Sequence, residues 1–235
     1  MQLQQYSLHL ANASTAPAAG RLTGSARELA FGEIDRLVQS TGMMTHATKS
    51  RLLDAGLTML LERGYNDMGI QALLDETGVP RGSFYHHFSD KEDFALQVID
   101  RYMAEVHSGL DQCLADRSRP PLDRVRDFFE RSSEKYMTEG YMGCLLGGVG
   151  QELSGTSDVF RRKIEECFQA IAARIAPCLA EACEQGDLPQ GTDCARMADL
   201  LIDCWEGAAL RMRLRRDPAP LEAMLGFYFR AATPV

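Results

Sequence analysis

The stretch TGVPRGSFYHHFSDKEDF, Thr77–Phe94, decides how this chain is read. Gly78 stops whatever helix precedes it, and Pro80 suits the start of the next, where its missing N–H costs nothing. Upstream, GIQALLDET, Gly69–Thr77, sets Ile70, Leu73 and Leu74 on one face of a short helix. Two short helices joined by about three residues make a helix-turn-helix. The second of them, Pro80–His87, carries Phe84, which with Phe88 four residues on forms an inward stripe and leaves Arg81, Ser83, Tyr85 and His86 facing out. Their donors suit phosphates and base edges, and Gly82 lets the backbone come close to a sugar-phosphate chain. His86 and His87 are neighbours, about 100° apart on a helix, and so do not make the i, i+4 pair that chelates a metal. No other metal-ligand spacing and no cofactor motif stands in the sequence.

Before this unit, TKSRLLDAGLTMLLERGY from Thr48 places Leu52, Leu53, Ala55, Gly56, Met59 and Leu60 on one side of a first helix, with Gly64 as its stop. After it, Ser89-Asp90-Lys91-Glu92 predicts a capping box, Ser89 reaching forward and Glu92 reaching back. The helix that follows runs through Phe94, Val98, Ile99, Tyr102 and Val106 and ends before Pro120. Lys91, in its first turn, joins a cation to unsatisfied N–H groups and so suits a phosphate. Beyond the prolines the apolar spacing stays helical to Ala232, with Pro177 expected to kink a long helix near Ala173. The expected fold is all-α with about nine helices. A flexible arm, 1–44, has room for one short helix ended by Gly42. A three-helix helix-turn-helix domain, 45–92, and a helical bundle, 93–235, follow it.

With 45% hydrophobic and 25% charged residues in 235, the composition is that of an ordinary globular chain. Seven cysteines, an odd number with no CxxC pair, point to a reducing cytoplasm and mostly buried thiols. No apolar run approaches the roughly 18 residues of a membrane span, and the first residues lack the basic and apolar regions of a signal peptide. A net charge of −8 argues against nonspecific attraction to nucleic acid. It does not exclude a positive contacting face.

The run Thr48–Phe94 resembles, in order and throughout, the DNA-binding domain of TetR-family transcriptional regulators: the Gly64-Tyr65 stop, GVPRGSFYHHF and the Ser89–Glu92 restart match together. The resemblance implies that Arg81, Gly82, Ser83, Tyr85, His86 and Lys91 contact DNA, with Thr48 and Gly69 near its backbone at helix starts. One departure is Met68-Gly69, where many members have a hydroxyl residue capping the second helix. The resemblance also implies a C-terminal half that binds a small-molecule effector and dimerises.

In that half, Trp205 beside Gly207, Ala208 and Ala209 permits close helix approach. With Leu201, Cys204, Met212, Leu221, Met224, Leu225 and Tyr228, it suggests a homodimer through the last two helices, or else filling of the core of one chain. In GYMGCLLGGVGQEL, Gly140–Leu153, Cys144 stands near a helix start, where the dipole favours a thiolate. Similar segments occur in a TetR branch that responds to electrophiles, which implies a sensor; the other reading is a buried structural cysteine. Phe128, Phe129 and Trp205 are the candidate apolar walls of a pocket around it, with Cys113 and Cys183 as neutral controls. The expected function is a repressor that holds a palindromic operator as a dimer and is released by a small, electrophilic or α,β-unsaturated effector. The rival is a helical enzyme using Cys144 on a small molecule.

Overall fold

The computed structural model describes the backbone of residues 24–232 and the side chains of 46–231. Two compact units divide between Ala47 and Thr48; the expected flexible character of residues 1–23 lies outside the described residues, and apart from the backbone of the first helix everything below concerns the second unit. Among the described residues there are nine helices and no strand. In chain order they are α1 (Gly24–Asp67), α2 (Ile70–Thr77), α3 (Arg81–His87), α4 (Lys91–Leu114), α5 (Pro121–Thr138), α6 (Leu145–Leu153), α7 (Asp158–Gln185), α8 (Cys194–Arg215) and α9 (Ala219–Ala232).

Three expectations about helix ends change. Gly42 lies inside α1 and ends nothing, since one interior glycine costs only about 1 kcal/mol against alanine. Thr48, expected at a helix start, also lies within α1, so its amide belongs to the helix ladder and is not a free end. The box before α4 is shifted by one residue. Asp90 is the cap and accepts from the Asp93 amide at 2.8 Å, while Asp93 reaches back to the Ser89 amide at 2.9 Å. Asp90 prevails because its extended backbone, φ −160°, aims its short carboxylate at the first turn. At Pro177 the helix α7 continues unbroken as one element.

The helix-turn-helix is held by rings. Phe84, Phe88 and Phe94 are fully buried, with centroids 4.9–5.4 Å apart, each pair contributing about 0.5–1.5 kcal/mol beyond area burial. Gly56 on α1 faces this cluster, and a Cβ there would press into the Phe94 ring and Val98. Behind it, α4–α9 share one continuous core. Arg124 on α5 is buried in that core, yet its guanidinium reaches the Leu114 carbonyl at 2.9 Å and Glu181 on α7 at 2.6 Å. The end of α4 is tied to α5 and α7 by that one side chain.

Most of the residues expected at a dimer face belong to this core. Leu201, Trp205, Ala209, Met212, Leu221, Leu225 and Tyr228 are all buried within one chain. α8 lies between α7 and α9, so its most apolar stripe is used inside the protomer. What remains outside is a different set: Leu200, Leu210 and Leu214 on α8 and Phe227 on α9, the last 71% exposed.

Candidate functional site

The turn from α2 to α3 is made by Gly78 in the left-handed region, φ 64°, by buried Val79 and by Pro80, the cap of α3. No side chain caps α2, whose leading residue is Gly69 behind buried Met68, so the start of α2 offers no capping hydroxyl to a phosphate. On α3, Phe84 points in, while Arg81, Gly82, Tyr85 and His86 are exposed and Ser83 is half-buried. Arg81 lies 5.8 Å from the centroid of the Tyr85 ring, so cation and ring stand together on the outer face. A Cβ at Gly82 or at Gly69 would meet nothing within 4 Å, which leaves both backbones open to an approaching chain.

Lys91, expected to offer its cation to a phosphate from the first turn of α4, is partly engaged by the protein itself. Its Nζ lies 4.4 Å from the centroid of Tyr65 and donates to the Asn66 carbonyl at 3.4 Å, and its burial there lowers its pKa. The cation therefore rests on the last residues of α1, beyond the Gly64 break that the sequence marks only as a helix stop. Gly64 there adopts φ 77°, ψ 179°, a conformation essentially confined to glycine, and the helix ladder is interrupted. The amides of Tyr65 and Asn66 find one acceptor between them, the carboxylate of Glu152 in the last turn of α6, at 2.8 and 2.7 Å. Tyr65 also stacks edge-on against Phe160 of α7 at 5.1 Å, and Arg213 of α8 donates to the Leu61 carbonyl at 3.3 Å. The sequence signal for this clamp was partial. A glycine break leaves amides in need of a partner, but nothing in the order of residues says that the partner lies 86 and 87 positions away.

At the other end of α6 lies a cavity of about 580 Å³, bounded by α1, α4, α5, α7 and α8. Phe128, Phe129, Trp205 and Cys144 all line it, so the four expected pocket residues are brought together. Trp205 packs on Phe129 at 4.8 Å and on Tyr136 at 5.8 Å, closing the inner wall. At the mouth the charges are paired: Lys135 with Glu105 at 3.0 Å and Arg101 with Asp54 at 3.1 Å. Cys113 lines the same cavity, which removes it as a neutral control.

Cys144 is the cap residue of α6, as expected, but its thiol is not a ready thiolate. Burial pushes its pKa well up and the neighbouring Glu206 carboxylate adds to this, outweighing the pull of the Gly147 amide at the helix start. Its Sγ lies 3.6 Å from the Tyr102 hydroxyl. Glu206 itself was missed. The sequence placed it only beside Trp205, in a stretch chosen for its small residues, whereas the fold turns its side chain into the cavity against the first turn of α6. Burial raises its carboxyl to about 7, with the Cys144 thiol as a hydrogen-bond donor working against the rise. Gly147 makes this approach possible, because any Cβ at that position would collide with the Glu206 Oε2.

A helix pair with a cationic and aromatic outer face, clamped to a bundle that encloses a cavity, has clear relatives. A family model described as "Bacterial regulatory proteins, tetR family" matches residues 52–98, and one described as "Tetracyclin repressor-like, C-terminal domain" matches 121–227. The HTH-type transcriptional repressor DhaR of Mycobacterium sp. (strain GP1) is 34% identical over 79% of this chain and 92% of its own length. A crystal structure of the regulatory protein TetR from Rhodobacter sphaeroides aligns with TM-score 0.75 and 35% identity over 78% of this chain and 98% of that one. The reduced form of Escherichia coli NemR aligns with TM-score 0.72 and 28% identity over 81% and 100%. With both halves matched in order on the described architecture, the chain belongs to the TetR family of bacterial regulatory proteins.

Proposed function

We propose that this protein is a ligand-responsive repressor that grips a palindromic operator as a homodimer and releases it when a small molecule occupies the cavity beside Cys144. Helix α3 supplies Arg81, Gly82, Ser83, Tyr85 and His86 to one major groove per protomer, with Gly69 and Lys91 toward the phosphates. The dimer sets two such helices about one DNA turn, roughly 34–36 Å, apart. Its interface is built from the exposed apolar side chains of α8 and α9, which would otherwise face water.

The single observation that carries this reading is the span of α6. This nine-residue helix begins at Cys144 in the cavity and holds, through Glu152, the backbone at Tyr65 and Asn66 next to Lys91. Any ligand that shifts α6 changes a contact with the DNA-binding unit, and the binding of each partner then opposes that of the other. The effector class we assign is small and electron-poor, an α,β-unsaturated carbonyl compound whose reactive carbon lies beside the sulfur. DhaR, a relative along nearly its whole length, is named a repressor, and NemR is known in a form specified as reduced. The rival reading, a cysteine-dependent enzyme, finds no histidine among the residues lining the cavity and leaves the outer face of α3 without a role.

The test is retardation of a promoter fragment with and without such compounds. Cys144→Ser is expected to keep operator affinity and lose release, while Cys183→Ser behaves as wild type. A Cys144→Ser protein that is released like wild type would place effector recognition elsewhere.

A further inference from the structure

At the inner end of the cavity, Cys144, Glu206 and Tyr102 converge from three separate elements: the turn before α6, α8 and α4. The thiol on its own is a poor nucleophile here, since burial holds it protonated. It nevertheless lies close to the Glu206 carboxyl, since Glu206 Oε2 and Cys144 Cβ both border Gly147 in the first turn of α6, and among the described residues no cation offsets the burial of that carboxyl. The charged groups of the mouth are engaged with one another, Lys135 with Glu105, Arg101 with Asp54 and Arg131 with Asp127. Beside the pair are Tyr102 from α4 and Tyr136 from α5, both held protonated by burial, while α7 contributes the apolar Phe168 and Ile171 to the cavity lining. Among the described residues that line this end of the cavity, the acidic side chain is therefore the group positioned to accept a proton from the sulfur near neutral pH. Gly147 bears on the same point, because it is the absence of a Cβ there that lets the carboxylate reach the sulfur's end of α6.

We propose that Glu206 is the proton acceptor that makes Cys144 reactive, so that the pocket adds its thiol to uncharged conjugated carbonyl compounds. This rests on the reading of Cys144 as the residue that meets the effector. The S–C bond forms at the β-carbon as the π electrons of the C=C bond move toward the carbonyl oxygen, and the thiol proton passes to the Glu206 carboxylate. Glu206 then returns that proton to the α-carbon. The product is a saturated thioether and a carboxylate in its starting state, with no oxidant or reductant consumed. Uncharged compounds are preferred because a second carboxylate at the same buried end would repel Glu206.

The experiment treats the full chain with methyl vinyl ketone from pH 5.5 to 9 and follows alkylation of each cysteine by peptide mass spectrometry. In the wild type the rate at Cys144 is expected to rise through a step near neutrality as Glu206 ionises. Glu206→Gln should lower the Cys144 rate at pH 7.5 at least ten-fold and abolish the step, a size usual for loss of a positioned base. Cys183 and Cys204 in the same digest should be unaffected. Glu206→Asp, which keeps the carboxylate, should keep the step. Helix content by circular dichroism verifies that the glutamine variant is folded, as expected when a buried ionisable group is replaced by a neutral isostere. An unchanged rate in Glu206→Gln, or a slower one that keeps the step, overturns the proton-acceptor role and leaves Cys144 as the effector's partner. A wild-type Cys144 that takes up no adduct overturns both.

Discussion

Glu206 and Tyr85 show how differently two single side chains are governed by their surroundings. Glu206 is raised by burial from the ordinary carboxylate range to about 7, so the folded state holds its proton more tightly than the unfolded chain does. Its contribution to stability is complete below the unfolded value near 4.5 and is lost as pH rises through about 7. Glutamine never ionises and escapes that loss. Glu206→Gln should therefore exceed the wild type in stability at pH 8 by up to on the order of 3 kcal/mol, a gap that closes toward pH 4.5. Urea unfolding at several pH values and fixed protein concentration measures it. Tyr85 is 46% exposed and packs mainly on its own helix. Tyr85→Ala should lose about 1–3 kcal/mol of operator affinity, read from binding isotherms, with an unchanged melting temperature. Lys91 makes a less clean probe, since its cation also rests on Tyr65 and Asn66.

Helix α6 is the element on which both ends of the molecule depend, and its sequence is an unpromising one. Three of its nine residues are glycine, which weakens it as an isolated helix. Its buried Leu145, Leu146, Val149 and Leu153 hold it in place instead. Glu152→Ala removes a charged acceptor from two backbone amides and should cost about 1–3 kcal/mol. Hydrogen exchange at Tyr65 and Asn66 should accelerate selectively, and the effector-induced loss of operator affinity should shrink. Equal exchange in the variant and the wild type would deny that the clamp matters. The helices themselves were legible in the sequence because apolar periodicity, Gly78 and the Pro120-Pro121 pair are local signals, and local signals set element type and ends. Cys144, Phe128, Phe129 and Trp205 were legible as aromatic or thiol side chains set among helical patterns. Glu152 and Glu206 were not. A carboxylate on a helix reads as a solvated face unless the contact that engages it is known, and both of these contacts join residues about 60–90 positions apart. The capping box shifted for a smaller reason. Ser89 and Asp90 are both good caps, and the backbone at Asp90 decided between them.

For the whole molecule, the dimer proposed above rests on the apolar side chains that the monomer core leaves outside. Leu200, Leu210 and Leu214 are spaced ten and four residues apart, within one side of α8, and Phe227 stands out from α9. Phe227→Glu, combined with Leu214→Glu, should yield a monomer at micromolar concentration with full helix content and weak binding to a two-half-site operator. Sedimentation velocity and operator titration check it. A change at Ala208 would be less diagnostic because that side chain packs partly against the core. The Glu152 clamp has a further bearing on how such regulators diversify. It takes hold of main-chain amides, and so it is blind to which side chains stand at 65 and 66, provided a residue at 64 allows the strained turn. On the coupling proposed above, the reading head can change its vocabulary of DNA letters, by substitution or by wholesale exchange with that of a cousin, and still offer the sensor the same handle.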